Sequence, residues 1–191
     1  MKGIILAGGK GTRLYPITKS ISKQLLPVYN KPMIYYPINT LVEIGINEIL
    51  IITTKEDQFY FKTLLNENDF NVDFYFETQK DPNGIAEAFI IGENFIKNEN
   101  VCLILGDNLF FNSSLLNSRL NKSSKIFVKE ISNPNNYGVL EENDKIPILI
   151  HEKPNKYISN HAVVGLYMYN NSVINYAKEL TPSKRGEIEI T

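Results

Sequence analysis

The chain has 191 residues, 43% of them hydrophobic and 21% charged, enough for one domain with a substantial core and no staples. Twenty basic side chains stand against 21 acidic ones, a net charge of −1, which argues against bulk nucleic-acid or membrane-surface binding because both rely on a basic excess. The single Cys102 excludes an intrachain disulfide, and its apolar neighbours suit a buried thiol.

At the start, glycines interrupt the apolar run after Ala7, and no run in the chain approaches the length of a membrane span. A cytoplasmic protein is expected. Gly3 to Ala7 reads as a buried strand that breaks into Gly8, Gly9, Lys10 and Gly11 and then delivers Thr12 and Arg13. Three glycines in four positions let a backbone wrap closely around a ligand, and converging amides favour an anion, a polyphosphate above all. Arg13 and Lys23 add charge beside them. Two familiar glycine loops are excluded by spacing. A dinucleotide fingerprint counted from Gly9 and Gly11 would need its third glycine at Leu14, and a Walker A loop would need Ser or Thr after Lys10, where Gly11 stands.

Further along, Lys31-Pro32 opens a predicted helix ending near Ile44, with Pro37 inside it and Gly45 as its C-terminal stop. Glu48 to Thr53 reads as a strand buried on both faces. A helix over 56–66, a strand over 72–77, an amphipathic helix over 84–96 and a buried strand over 101–105 follow. Strands are then expected over 126–131, 138–141, 147–152 and 163–169, and a last helix over 171–180 is stopped by Pro182. No repeat or linker divides the chain, so residues 1–191 are expected to form a single domain. Strands alternating with helices imply an α/β fold, a mostly parallel sheet covered on both faces. Ligands of such sheets lie outside the carboxyl ends of the strands. The Gly8 loop, the Gln79 to Gly84 loop and Asp107 each follow a predicted strand, so all three can meet in one crevice. From the residues alone, Asp107 can cap a turn or hold Mg²⁺, D-P-N-G at 81–84 makes a good turn, Glu152-Lys153 can be a solvated charge pair, and Val163 reads as core.

G-G-K-G-T-R-L-Y-P-I-T (8–18) together with S-K-Q-L-L-P (22–27) resembles the sugar-phosphate nucleotidyltransferases. V-Y-N-K-P-M-I-Y-Y-P (28–37) is similar to their thymidylyl-transferring branch, and G-E-I-E-I-T carries the resemblance to Thr191. It implies a Rossmann-like nucleotidyltransferase fold with a mostly parallel mixed sheet. It also implies a reaction between dTTP (or UTP) and glucose 1-phosphate, in deoxysugar and cell-surface polysaccharide synthesis. Uridylyl or cytidylyl transfer to another sugar 1-phosphate, and a nucleotide-binding module with little turnover, are the alternatives.

Residue by residue, the resemblance implies that Gly8, Gly9, Gly11, Thr12, Arg13 and Gln24 bind the nucleotide. Gln79 and the Gly84 backbone would read the pyrimidine edge, which an amide suits because it both donates and accepts. Thymine and uracil differ by one methyl group, worth at most a few kcal/mol. Asp107 would hold Mg²⁺, while Asn108, Tyr137, Gly138, Glu152, Lys153, Val163 and Arg185 would surround the sugar phosphate. Arg13, Lys23 and Lys153 would act catalytically. Two neighbours of the sugar pocket depart from the family pattern: His151 stands at a usually acidic position and Val164 at a small polar one. Relatives continue past G-E-I-E-I-T into a tryptophan-containing stretch with a second metal-binding aspartate, and this chain has no tryptophan. The expectation is therefore a C-terminally short domain that supplies Asp107 alone and turns over slowly. It would also lack part of the contacts of the family's homo-oligomers.

Overall fold

The computed structural model describes residues 1–67, 69–111, 124–183 and 186–190. In chain order its main elements are β1 (Lys2–Leu6), β2 (Pro27–Val28), β3 (Lys31–Pro32), α1 (Tyr35–Glu43), β4 (Glu48–Thr53), α2 (Gln58–Asn66), β5 (Asp73–Thr78) and α3 (Glu87–Ile91). They continue with α4 (Glu93–Ile96), β6 (Val101–Leu105), β7 (Lys125–Glu130), β8 (Gly138–Asn143), β9 (Ile146–Glu152), β10 (His161–Tyr169) and α5 (Val173–Glu179). One large sheet runs β5-β4-β1-β6-β10-β8-β9, with β7 also paired to β10. The first four strands are parallel. From β10 outward the pairings are antiparallel.

The apolar runs are continuous because both faces are covered. Ile5, Ile49, Ile51, Cys102 and Ile104 face α1 and α2 with Ile38, Leu41 and Phe61. Their alternates Ile4, Leu50, Ile52, Val101 and Leu103 face α3 and α5 with Phe89, Ile96, Ile174 and Ala177. Cys102 is fully buried, and burial pushes its thiol up to about 12.

Three expectations shift. Lys31-Pro32 belongs to a small antiparallel pair with Pro27–Val28, and the helix begins only at Tyr35. Pro37 then falls in the first turn, where a missing N–H costs no helical hydrogen bond. The single helix expected over 84–96 is two short ones separated by Gly92, whose carbonyl takes the amides of both Phe95 (3.0 Å) and Ile96 (2.8 Å). Gly45, at φ +89°, ends α1 as expected. No helix among the described residues is long and apolar enough to cross a membrane.

The order β5-β4-β1-β6 contains the feature that creates a site. The chain leaves β1 toward β4 on one side and later returns as β6 on the other, so a crevice opens at the carboxyl ends of β1 and β6. The amino-terminal half of β10 lies at the same end, because β10 is antiparallel and Leu166 pairs with Ile104.

Candidate active site

The glycine loop leaves β1 with Ala7 N–H bonded to Ile52 O (2.7 Å). Gly8 is buried, whereas Gly9, Lys10, Thr12 and Arg13 are exposed. Gly11 sits at φ +60°, and its carbonyl accepts from Thr18 Oγ1 (2.7 Å) and Leu14 N–H (2.9 Å). A Cβ there would lie 3.1 Å from Thr18 Cγ2, so both conformation and space call for glycine. A Cβ on Gly9 would meet nothing within 4 Å, which leaves that amide surface open. Arg13 makes no ion pair among the described residues.

Lys23 lies on a short 3-10 turn, Lys23–Leu25, and reaches across to Asp107. Asp107 leaves the end of β6 directly beside the loop, since Gly106 N–H donates to Leu6 O (2.9 Å). Lys23 Nζ donates to Asp107 Oδ2. Asn108 Nδ2 donates to the other oxygen (3.0 Å), and Asn108 Oδ1 is in turn fixed by Gly165 N–H (3.0 Å). Partial burial alone would raise the Asp107 carboxyl, but the Lys23 hydrogen bond and charge and the Asn108 bond outweigh it and hold the group below its ordinary value. Gln24 is 4% exposed, with Ser22 Oγ donating to its Oε1 (2.8 Å), and it supports the Gly106 turn from below.

Gln79, just past β5, is 5% exposed and bonded through its N–H to Thr53 O (2.8 Å). Its Nε2 donates to Glu87 Oε2 (2.5 Å) and Gly84 O (3.3 Å). Gly84, at φ +112°, presses against the backbone of Ile188, where a Cβ would stand 2.3 Å from Ile188 O. Asn83 O accepts from Ile188 N–H (2.5 Å), and Ile188 O accepts from Ala86 N–H (3.3 Å). The G-E-I-E-I segment is thus clamped onto the Gln79 loop.

Beyond Asp107 lies a cavity of about 200 Å³. Asn108, Tyr137, Gly138, Glu152, Lys153 and Val163 all line it, so six of the seven residues expected around the sugar phosphate come together. The seventh, Arg185, lies outside the described residues. The strand pairing explains the convergence: Gly138 is opposite Glu152, Ala162 is opposite Val139, and Lys153 N–H donates to Tyr137 O (3.0 Å). Sequence reading missed Tyr167, Glu187 and Glu189 in the same wall. Burial, then Tyr169 and Glu152, push the Tyr167 hydroxyl far up, so it remains a neutral donor. A larger cavity of about 320 Å³ between α3 and α5 has no lysine or arginine in its wall among the described residues and offers phosphates no cation.

A glycine loop and an acidic strand end at a parallel α/β switch point, beside a cavity of about 200 Å³, define a class. Residues 2–191 match the nucleotidyl transferase family, and the chain belongs to it. Over its whole length it is 50% identical to the glucose-1-phosphate thymidylyltransferase of Neisseria meningitidis serogroup A, spanning 69% of that relative. A Bacillus anthracis structure solved with sucrose and described as a glucose-1-phosphate thymidylyltransferase superposes with TM-score 0.90 at 41% identity, over 100% of this chain and 80% of that one. UDP-glucose pyrophosphorylase in complex with UDP-glucose superposes with TM-score 0.88 at 27% identity, covering 100% and 83%.

Proposed function

We propose that the chain transfers a thymidylyl group from dTTP to glucose 1-phosphate, giving dTDP-glucose and pyrophosphate. The observation that carries this reading is the meeting beside Asp107 of a glycine loop edged by Arg13 and by Lys23, which is paired with Asp107, and a cavity holding Glu152 and Lys153. Its relatives at 46–50% identity are glucose-1-phosphate thymidylyltransferases, which supports the substrate pair.

In the reaction a phosphate oxygen of glucose 1-phosphate attacks the α-phosphorus of dTTP, and the bond to the β-phosphate oxygen breaks. No covalent enzyme intermediate is needed, so positioning and charge neutralisation carry the chemistry. Arg13 and the Gly8–Gly11 amides hold the β and γ phosphates. Lys23 turns from Asp107 to the α-phosphate as charge develops there. Lys153 aligns the attacking phosphate, Glu152 accepts from sugar hydroxyls, and Val163 packs against the ring. Gln79 and Gly84 read the base.

Asp107 offers one carboxylate, and among the described residues no group of three or more His, Cys, Asp or Glu side chains gathers to hold a metal. That donor set fits Mg²⁺, which takes one or two carboxylates and completes its shell with phosphates and water. Bound there, the ion would add positive charge to the phosphates.

A pyrophosphate-release assay over dTTP, UTP, dCTP and dATP against several sugar 1-phosphates tests the proposal. The expected result is fastest release from dTTP with glucose 1-phosphate. Faster release from UTP would favour uridylyl transfer, a second reading motivated by the likeness to UDP-glucose pyrophosphorylase. Binding without release would leave only a nucleotide-binding module.

A further inference from the structure

The Gln79 amide has two faces that a pyrimidine could meet, and only one can be turned outward. An ionised carboxylate and a backbone carbonyl accept hydrogen bonds and cannot donate them. Gln79 faces one of each, Glu87 Oε2 at 2.5 Å and Gly84 O at 3.3 Å. Both N–H bonds of its amide must point at them. The carbonyl, Gln79 Oε1, is therefore directed the other way, toward Gly8, where a Cβ would lie 3.0 Å from it. Among the described residues nothing donates to that oxygen.

Glu87 is itself held in place. Its second oxygen accepts from Asn83 Nδ2 (3.1 Å), so the carboxylate spans the loop from Asn83 to Gln79. It sits at the first residue of α3, where a negative charge is favoured by the helix dipole. Every one of these constraints fixes the same amide orientation.

We infer that Glu87 is a positioning residue that locks Gln79 with its carbonyl toward the nucleotide, so that the site selects pyrimidines carrying an N3–H and rejects cytosine. Thymine and uracil offer a donor at N3 that Gln79 Oε1 can accept. Cytosine presents a lone pair there, and two acceptors would face each other unbonded, which is costly in a buried site. The inference rests on the proposed nucleotidyl transfer for the identity of the ligand. What it adds is the residue that sets the sign of the base contact.

The test is equilibrium binding of dTTP, dCTP and N3-methyl-dTTP, run on the intact chain and on Glu87→Gln. A glutamine at 87 can offer its own N–H to Gln79 Oε1, which frees Gln79 to turn its amine outward. The expected result for the wild type is dTTP binding at least about tenfold tighter than dCTP or N3-methyl-dTTP, in line with an unpaired buried polar group. In Glu87→Gln, dTTP should weaken and dCTP should tighten, so that the ratio collapses. A merely structural role would weaken both nucleotides together and leave the ratio intact, and that outcome overturns the inference. Equal wild-type affinity for dTTP and its N3-methyl derivative overturns it as well. Glu87→Asp, which keeps an acceptor-only group, should retain the preference for dTTP, and dCTP preference in that variant would also count against it. Pyrophosphate release from dTTP and glucose 1-phosphate by the wild type reports separately on the transfer reaction, so either claim can fail without the other.

Discussion

The two halves of the sheet hold their ligand-facing residues by different means. In the parallel half, β5-β4-β1-β6, the inner strands β4, β1 and β6 are buried on both faces while β5 at the edge stays partly exposed, and the candidate site residues stand on loops leaving the carboxyl ends. Those loops carry left-handed glycines, a bond within the loop from Thr18 to Gly11 and a long-range bond from Lys23 to Asp107. In the antiparallel half the wall of the cavity is made by the strands themselves, with Gly138, Glu152 and Val163 side by side in β8, β9 and β10. Its outer strand is open to solvent: Ile146, Ile148 and Leu149 are all more than half exposed. The more buried half therefore carries the loops proposed to hold the charged end of the nucleotide, and the more open half contributes the cavity beside them. Asp107 and Asn108 lie at the seam, tied to the first half by Lys23 and to the second by Gly165.

Substitutions in each half test this contrast. The largest effect is expected at the seam. Lys23→Ala should lower kcat by roughly 10²–10³-fold, the loss typical of removing one preorganised group that stabilises developing charge. A loss confined to KM for glucose 1-phosphate would assign Lys23 to the other half.

Next come the cores. Ile51→Ala, in a fully buried strand, should destabilise the fold by about 2–5 kcal/mol, whereas Ile148→Ala on the open strand should stay within about 0.5 kcal/mol. Chemical denaturation of both variants measures the difference, and equal losses would erase the distinction between the halves.

Two glycines of one loop separate folding from binding. Gly11→Ala should cost about 1–2 kcal/mol of stability, because φ +60° is strained for any residue with a Cβ. Gly9→Ala should leave the melting temperature unchanged and weaken dTTP binding, since its Cβ meets no protein atom but would project from the loop proposed to wrap the phosphates.

The smallest effect concerns pH. The Asp107 carboxyl is held below its ordinary value, so its pair with Lys23 stabilises the fold fully above the ordinary carboxylate range. That contribution is lost as pH falls through the lowered value. The stability advantage of wild type over Lys23→Met, about 1 kcal/mol or less for a partly exposed pair, should therefore shrink on acidification. Thermal melts of both proteins between neutral and acid pH would reveal it, and a gap that widens would reverse the sign.

The parallel half was legible in the sequence because short apolar runs such as E-I-L-I-I-T, bounded by turn residues and rich in isoleucine, suit strands covered on both sides. Strand ends followed by Gly8, Gln79 and Asp107 then located the crevice. The bonds that orient those residues were not legible. Gly84 reads as a turn glycine, yet its closest constraint is the backbone of Ile188, about a hundred residues away. Glu87 reads as a polar helix position, and its bond to Gln79 depends on how the loop folds back. The helix expected over 84–96 failed because amphipathic periodicity runs straight through Gly92 and does not register a break. In the antiparallel half the strands were found but not their pairing, so Tyr167, Glu187 and Glu189 could not be brought to the cavity. Val163 was placed there only by its resemblance to a known motif.

The central claim is that the two halves bind the two parts of one sugar nucleotide on either side of Asp107. Amide hydrogen exchange on the intact chain tests it most directly, with dTTP alone and with dTDP-glucose. dTTP should slow exchange over 8–13 and 79–84 and leave 137–153 unchanged, whereas dTDP-glucose should also slow 137–139 and 152–153. Protection of 137–153 by dTTP alone, or none there with dTDP-glucose, would contradict it.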